Sequence, residues 1–190
     1  DIYEEPLEAR KRIGYLPEIP PLYNDMTPKE YLSFVGRAKK IPSAKLSEAV
    51  GNVMTKTALH GVADRLIRNL SKGYRQRVGI AQAILGDPEI IILDEPTVGL
   101  DPMQIIEIRD LIRELGKDHT VILSSHVLPE ISATCDYVIV IAHGKIVASD
   151  TMENLNRSFS ETEVIKLEAR APLADVKEIV STVRGIENVS

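Results

Sequence analysis

Residues 89–102 read EIIILDEPTVGLDP. Three isoleucines and a leucine run directly into Asp94 and Glu95. A short, bounded run rich in β-branched residues predicts a strand at 89–93 buried on both faces, as in a parallel sheet. Such sheets bind ligands beyond the carboxyl ends of their strands, where these two carboxylates stand. Asp94 is placed to hold a magnesium ion, directly or through water, and Glu95 to polarise an attacking water. Taken alone, the pair is better explained as an acidic strand-to-loop transition. The case for a site rests on its surroundings.

The surroundings alternate strand and helix. RIGYL at 12–16 is strand-like, and a Pro-rich loop follows it. Thr27 reads as a helix cap, with Pro28 at the first helical position and Glu30 closing a capping box. Ser43 is expected to cap a second helix. In RNLSKGYRQRVGIAQAILGDP (68–88), Val78, Ala81, Ile84 and Leu85 recur at helical spacing, and Gly86 and Pro88 stop the helix. Asp101 and Pro102 open another helix, whose apolar face is Ile105, Ile108, Ile112 and Leu115 and whose end is Gly116. TVILSS (120–125) predicts a second buried strand, and YVIVIAHGKIVASD (137–150) a hairpin turning at His143 and Gly144. This order implies an α/β fold, a mainly parallel sheet flanked by helices. After about Thr151 the pattern changes. ETEVIKLEAR alternates and PLADVKEIVSTV is an amphipathic helix, the start of a small α+β domain at 160–190.

Charge excludes some functions. With 28 acidic against 23 basic residues the net charge is -5, which argues against a coat for nucleic acid or anionic lipid. No apolar stretch approaches the length that spans a bilayer. Cys135 is the single cysteine, so no internal disulfide forms, which fits a reducing compartment.

Two further motifs carry chemistry. LSKGY (70–74) puts Ser71, Lys72 and Gly73 at a helix amino terminus, a ready anion site, with Lys72, Arg75 and Arg77 adding positive charge. By itself this is equally a serine cap beside a solvated basic face. SSH places His126 just after a strand, where an imidazole can bond a terminal phosphate or a water; a lone loop histidine is otherwise the plainer reading.

Taken jointly, these stretches resemble the nucleotide-binding (ATP-binding) subunit of ABC transporters. LSKGYRQRVGIAQAIL is similar to the signature motif and its helix, IIILDEPT to the Walker B strand, GLDP to the D-loop and His126 to the switch histidine. The resemblance covers roughly residues 12–150. It implies a partial P-loop NTPase domain of the ABC type, with a parallel sheet core plus a helical subdomain. Residues 1–26 would hold a core strand and the Q-loop-like segment, 27–70 the helical subdomain, and 71–152 the signature helix, Walker B strand, D-loop and switch histidine. A truncated accessory domain would occupy 160–190. The implied ligands are ATP and Mg2+. Glu95 and His126 would be catalytic, and Asp94 and Glu18 would face the metal. Ser71, Lys72, Gly73 and Asp101 would serve nucleotide binding. Two departures stand out. Lys72 and Tyr74 replace the usual Gly and Gln of the signature, and Glu18 replaces the usual Gln of the loop that senses magnesium and touches the membrane partner.

The family pairs two such domains head to tail, so Ser71 and Gly73 would act on the partner's nucleotide while Asp94, Glu95 and His126 act on the chain's own. The implied partners are therefore a second ATPase subunit and a transmembrane permease, with no nucleic acid. The expected location is cytoplasmic, peripheral on the inner face of the cell membrane, and the expected role is to power export. The phosphate loop G-x-x-x-x-G-K-[ST] is missing from these residues. AHGKIV has Gly144 and Lys145 but neither the following Ser/Thr nor the upstream glycine. The family places that loop upstream of residue 1. The chain is therefore expected to begin beyond its phosphate-holding element and to be inactive alone. Strands 89–93 and 120–125 would lack a neighbour, leaving an open, apolar edge. Two other readings share parts of this pattern. One is an ABC-type ATPase acting on nucleic acid or ribosomes, disfavoured by the acidic charge and the lack of heptads. The other is a non-enzymatic interaction fragment.

Overall fold

A computed structural model describes residues 3–159 together with Val176, Ile179 and Val180. The chain divides into two compact units, Asp1–Met152 and Glu153–Ser190. In the first unit, β1 (Ile13–Leu16), β2 (Ile90–Asp94) and β3 (Thr120–Ser124) form a parallel sheet in the order β1-β2-β3. The register pairs Leu16 with Leu93, Leu93 with Leu123, and Asp94 with Ser124. The parallel α/β expectation holds, with two corrections. β2 does not lack a neighbour, since it lies between β1 and β3, and among the described residues the outer strands carry the open edges. Nor are both strands buried on both faces. Ile91 and Leu93 are fully buried, but Ile90 and Ile92 only partly. β3 alternates between exposed and half-buried, with Ile122 52% exposed. An outer strand with one unpaired side cannot be shielded as a central one is.

Helices α1 (Pro6–Lys11), α2 (Pro28–Ala38), α3 (Ser43–Lys56), α4 (Lys72–Ile84), α5 (Pro102–Leu115) and α6 (Leu128–Thr134) complete the sheet's surroundings. The capping box of α2 forms as its sequence predicts: the Glu30 amide donates to the Thr27 hydroxyl, and the Thr27 amide to the Glu30 carboxylate. Ser43 departs from expectation. It is the first helical residue of α3 and Pro42 is the cap, with no side-chain cap bond. Pro42 takes φ -55° and ψ 135°, the non-helical backbone of a cap residue, which its fixed φ permits.

The core joins α2, α3, α4 and α5 to the sheet through Leu32, Met54, Val78, Ile80, Ile91, Leu93 and Ile108, all buried. α4 is buried on most of its circumference, including Gly79 and Ala83. Its approach to β1 depends on Gly14, where an added Cβ would fall 2.2 Å from the Ala83 carbonyl oxygen. The end of α4 is held from outside. Lys39, at the end of α2, donates to the carbonyls of Gln82 (2.8 Å) and Leu85 (2.7 Å). Burial pulls its pKa down to about 8. Carbonyls at a helix end lack intrahelical donors, so an ammonium there satisfies them and complements the dipole.

β4 (Tyr137–Ala142) and β5 (Lys145–Thr151) form the expected antiparallel hairpin. His143 and Gly144 both have positive φ (50° and 72°), the pattern of a two-residue type I′ turn. α7 (Met152–Phe159) follows. In the second unit Val176, Ile179 and Val180 are helical, and the alternating segment and the rest of the 160–190 domain expected from the sequence lie outside the described residues. Among the described residues no helix is long and apolar enough to cross a membrane.

Candidate functional site

The parallel register sets the geometry. Because Asp94 pairs with Ser124, the last residues of β2 and β3 stand side by side at the sheet's carboxyl edge. The Ser124 hydroxyl donates to Asp94 Oδ1 at 2.5 Å. The second carboxylate oxygen of Asp94 accepts nothing from the described residues. One step further, the Glu95 amide donates to the Ser124 carbonyl at 3.1 Å, so the ladder continues past the formal strand end. Glu95 has φ +46°. A non-glycine residue is held in the left-handed region at a cost of about 1 kcal/mol or more, which surrounding contacts must offset.

That turn aims Glu95 at the loop after β3. His126 Nδ1 lies 2.8 Å from Glu95 Oε1. The Glu95 side chain is mostly buried (19% exposed) while the imidazole faces outward (71% exposed). The hydrogen bond to Glu95 and that carboxylate's charge raise the His126 pKa above its ordinary value, with smaller contributions from Glu130 and Glu18. Glu18, exposed in the loop after β1, is thus close enough for His126 to feel its charge. Beyond Glu95, the Thr97 hydroxyl donates to Glu130 Oε2 on α6.

Ser71, Lys72, Gly73 and Asp101 gather elsewhere. Ser71 caps α4 by accepting from the Tyr74 amide (3.4 Å), and Asp101 caps α5 by accepting from the Gln104 amide (3.0 Å). The two helix starts touch. A Cβ on Gly73 would meet the Gln104 side chain, and one on Gly99 (φ +66°) would fall 2.2 Å from the Lys72 ammonium. Lys72, which stands where the usual signature has glycine, therefore lies over Gly99 of the same chain. Among the described residues no hydrogen bond or ion pair joins Ser71, Lys72 or Gly73 to Asp94, Glu95 or His126. Arg77 fastens this helix start to its neighbours through Glu107 (2.6 Å) and the Thr57 carbonyl (3.2 Å).

The first group is equipped to orient a water between Glu95 and an anion facing His126. Among the described residues no three His, Cys, Asp or Glu side chains are grouped to hold a metal ion by themselves. Magnesium does not require such a cage, since it keeps several waters and takes one or two carboxylates plus substrate phosphates. The free oxygen of Asp94 fits that mode. Sequence reasoning left Ser124, Thr97 and Glu130 without roles. The strand register carried the signal for Ser124, whereas Thr97 and Glu130 meet only in three dimensions.

Residues 2–98 match the protein family described as ABC transporter. The uncharacterized ABC transporter ATP-binding protein YxlF of Bacillus subtilis (strain 168) is 37% identical over 164 residues, covering 86% of this chain and 55% of the relative. The bacitracin transport ATP-binding protein BcrA of Bacillus licheniformis is 36% identical over 169 residues, covering 86% and 54%. The chain thus spans about half the length of these curated relatives. Among solved structures, cbiO1 from Clostridium perfringens, part of the ABC transporter complex cbiONQ, has a TM-score of 0.72 at 29% identity, covering 79% of this chain and 61% of that one.

Proposed function

Since this chain belongs to the ABC transporter family, within its ATP-binding subunits, we propose that it supplies the water-activating half of an ATPase that powers export through a membrane permease. The observation that carries this reading is the convergence of Asp94, Glu95 and His126 at the carboxyl ends of two paired parallel strands. Glu95 takes the proton of the attacking water with the carboxylate oxygen that His126 leaves free. His126, bonded to Glu95 through Nδ1, presents Nε2 to the terminal phosphate, and the neighbouring carboxylate favours its charged form by raising its pKa. Ser124 holds one oxygen of Asp94, which would leave the other available to a metal ion. Asp94 would hold magnesium there, and the ion would supply charge neutralisation at the phosphoryl oxygens.

Ser71, Lys72 and Gly73 bind the nucleotide of a second subunit. The lack of any bond between them and the carboxylates in one chain supports this division. Asp101 shapes the connecting loop by capping α5. Glu18 joins the metal's surroundings from the loop after β1, and the helical segment 27–70 carries closure to the permease at the inner face of the membrane. That cbiO1 belongs to a transporter complex and BcrA is named for bacitracin transport supports a membrane partner for this chain. These 190 residues carry no phosphate loop, so by themselves they turn over ATP negligibly.

Mixing tests the shared site. In the full-length protein, Ser71→Arg and Glu95→Gln each abolish turnover. Random pairing of the two variants makes half the dimers mixed, each with one intact site, so turnover returns to about a quarter of wild type. No recovery on mixing, with both variants confirmed dimeric, refutes the shared arrangement.

A further inference from the structure

The loop after β2 and the segment after β3 are tied twice. Glu95 meets His126, and two residues beyond Glu95 the Thr97 hydroxyl meets Glu130, four residues beyond His126. The second tie is the better protected. Thr97 is only 6% exposed and Glu130 is half-buried, whereas His126 faces solvent. α6 needs such an anchor. It has seven residues and one buried side chain, Ile131, and no side-chain cap on Val127; its local side-chain support is slight, the Val127 amide donating to Ser125 Oγ at 3.1 Å and Ser132 Oγ to the Leu128 carbonyl at 3.0 Å. Its far end is held by Arg113 of α5, which donates to the Ala133 carbonyl. His126 therefore sits on a short span between β3, fixed by the sheet, and a helix fixed by Thr97 and Arg113.

We propose that the Thr97–Glu130 hydrogen bond is the latch that holds His126 against Glu95, making Thr97 and Glu130 positioning residues for hydrolysis. The inference rests on the reading of Glu95 and His126 given above. Neither Thr97 nor Glu130 touches the reacting atoms. The latch acts through α6: when it opens, the helix start loses its tether to the β2 loop and the imidazole is no longer held against Glu95. Catalytic groups displaced by about 1 Å can lose up to ~100-fold in rate. The chemistry of the tie distinguishes it from a mere charge. Threonine must donate, so valine, of the same shape, cannot replace it, whereas serine can. Glutamate need only accept, so glutamine preserves the bond while removing the charge, and alanine removes both.

The test compares Thr97→Val, Thr97→Ser, Glu130→Gln and Glu130→Ala with wild type and Glu95→Gln in the full-length protein. The inference expects kcat to fall by ~10- to 100-fold in Thr97→Val and Glu130→Ala with KM for ATP unchanged, and Thr97→Ser and Glu130→Gln to keep most of it. Proton NMR without nucleotide supplies a second readout. The His126 Nδ1–H resonance, shifted downfield by Glu95, should be present in wild type, Thr97→Ser and Glu130→Gln and lost in Thr97→Val and Glu130→Ala. If Glu95→Gln is inactive while Thr97→Val and Glu130→Ala keep wild-type kcat and the resonance, the latch is refuted and the catalytic reading survives. If Glu130→Gln fails as badly as Glu130→Ala, the residue acts by charge and the latch is likewise refuted. If Glu95→Gln is itself active, the catalytic reading falls.

Discussion

Replacing Gly14 with alanine tests how the strand bearing the Glu18 loop is joined to the helix bearing Ser71. The added Cβ would lie 2.2 Å from the Ala83 carbonyl oxygen, 2.9 Å from its carbonyl carbon and 3.0 Å from Pro88 Cγ. Two of these atoms are backbone, so no rotamer change relieves the contact; β1 and α4 must separate by roughly an ångström. Overpacking of a well-packed core costs about 1–3 kcal/mol, and a backbone clash belongs at the top of that range. A domain of this size loses about 2–4 °C in Tm per kcal/mol, so Gly14→Ala should lower Tm by roughly 6–12 °C. Gly51→Ala is the control. It lies within α3, with nothing within 4 Å of its added Cβ. Alanine should there raise stability by up to about 1 kcal/mol through helix propensity. Calorimetric melting of the two full-length variants against wild type decides. Equal Tm values for Gly14→Ala and wild type would refute the claim that α4 packs directly on β1.

Three further outcomes follow from the described contacts. The raised His126 pKa means its pairing with Glu95 contributes stability fully below the unfolded value near 6.5 and loses it as pH rises through the folded value. The stability difference between wild type and His126→Gln, measured by urea unfolding, should therefore be largest near pH 6 and shrink toward alkaline pH. Lys39→Met removes the donor that closes the end of α4 and should destabilise the protein by about 1 kcal/mol in the same assay at neutral pH. Ser124→Ala frees the Asp94 carboxylate to rotate, and should raise the magnesium concentration needed for half-maximal turnover by about tenfold.

Local sequence rules read the elements well wherever a side chain bonds its own neighbours. Thr27, Ser71 and Asp101 cap as their spacing predicts, and His143-Gly144 turns the hairpin. Such contacts span a few residues and leave a pattern in the sequence. Burial of the strands was less legible. IIIL and VIL are similar runs, yet β2 is central and β3 is an edge, a difference fixed by strand order. Ser43 missed its cap by one residue because proline fulfils the backbone role without any side-chain bond. In the site, the carboxylates and His126 could be named from their places after strands. The Thr97–Glu130 and Lys72–Gly99 encounters could not, because each joins segments brought together only when the sheet and helices pack.

The central claim is that Glu95, held in a left-handed turn and bonded to His126, is the base that activates water. Single-turnover hydrolysis of Mg-ATP by the full-length protein, with and without Glu95→Gln, tests it most directly. The account predicts a fall of ~10²- to 10⁴-fold in rate with nucleotide affinity retained. A variant that hydrolyses within about threefold of wild type contradicts it, since a general base cannot be removed at so small a cost.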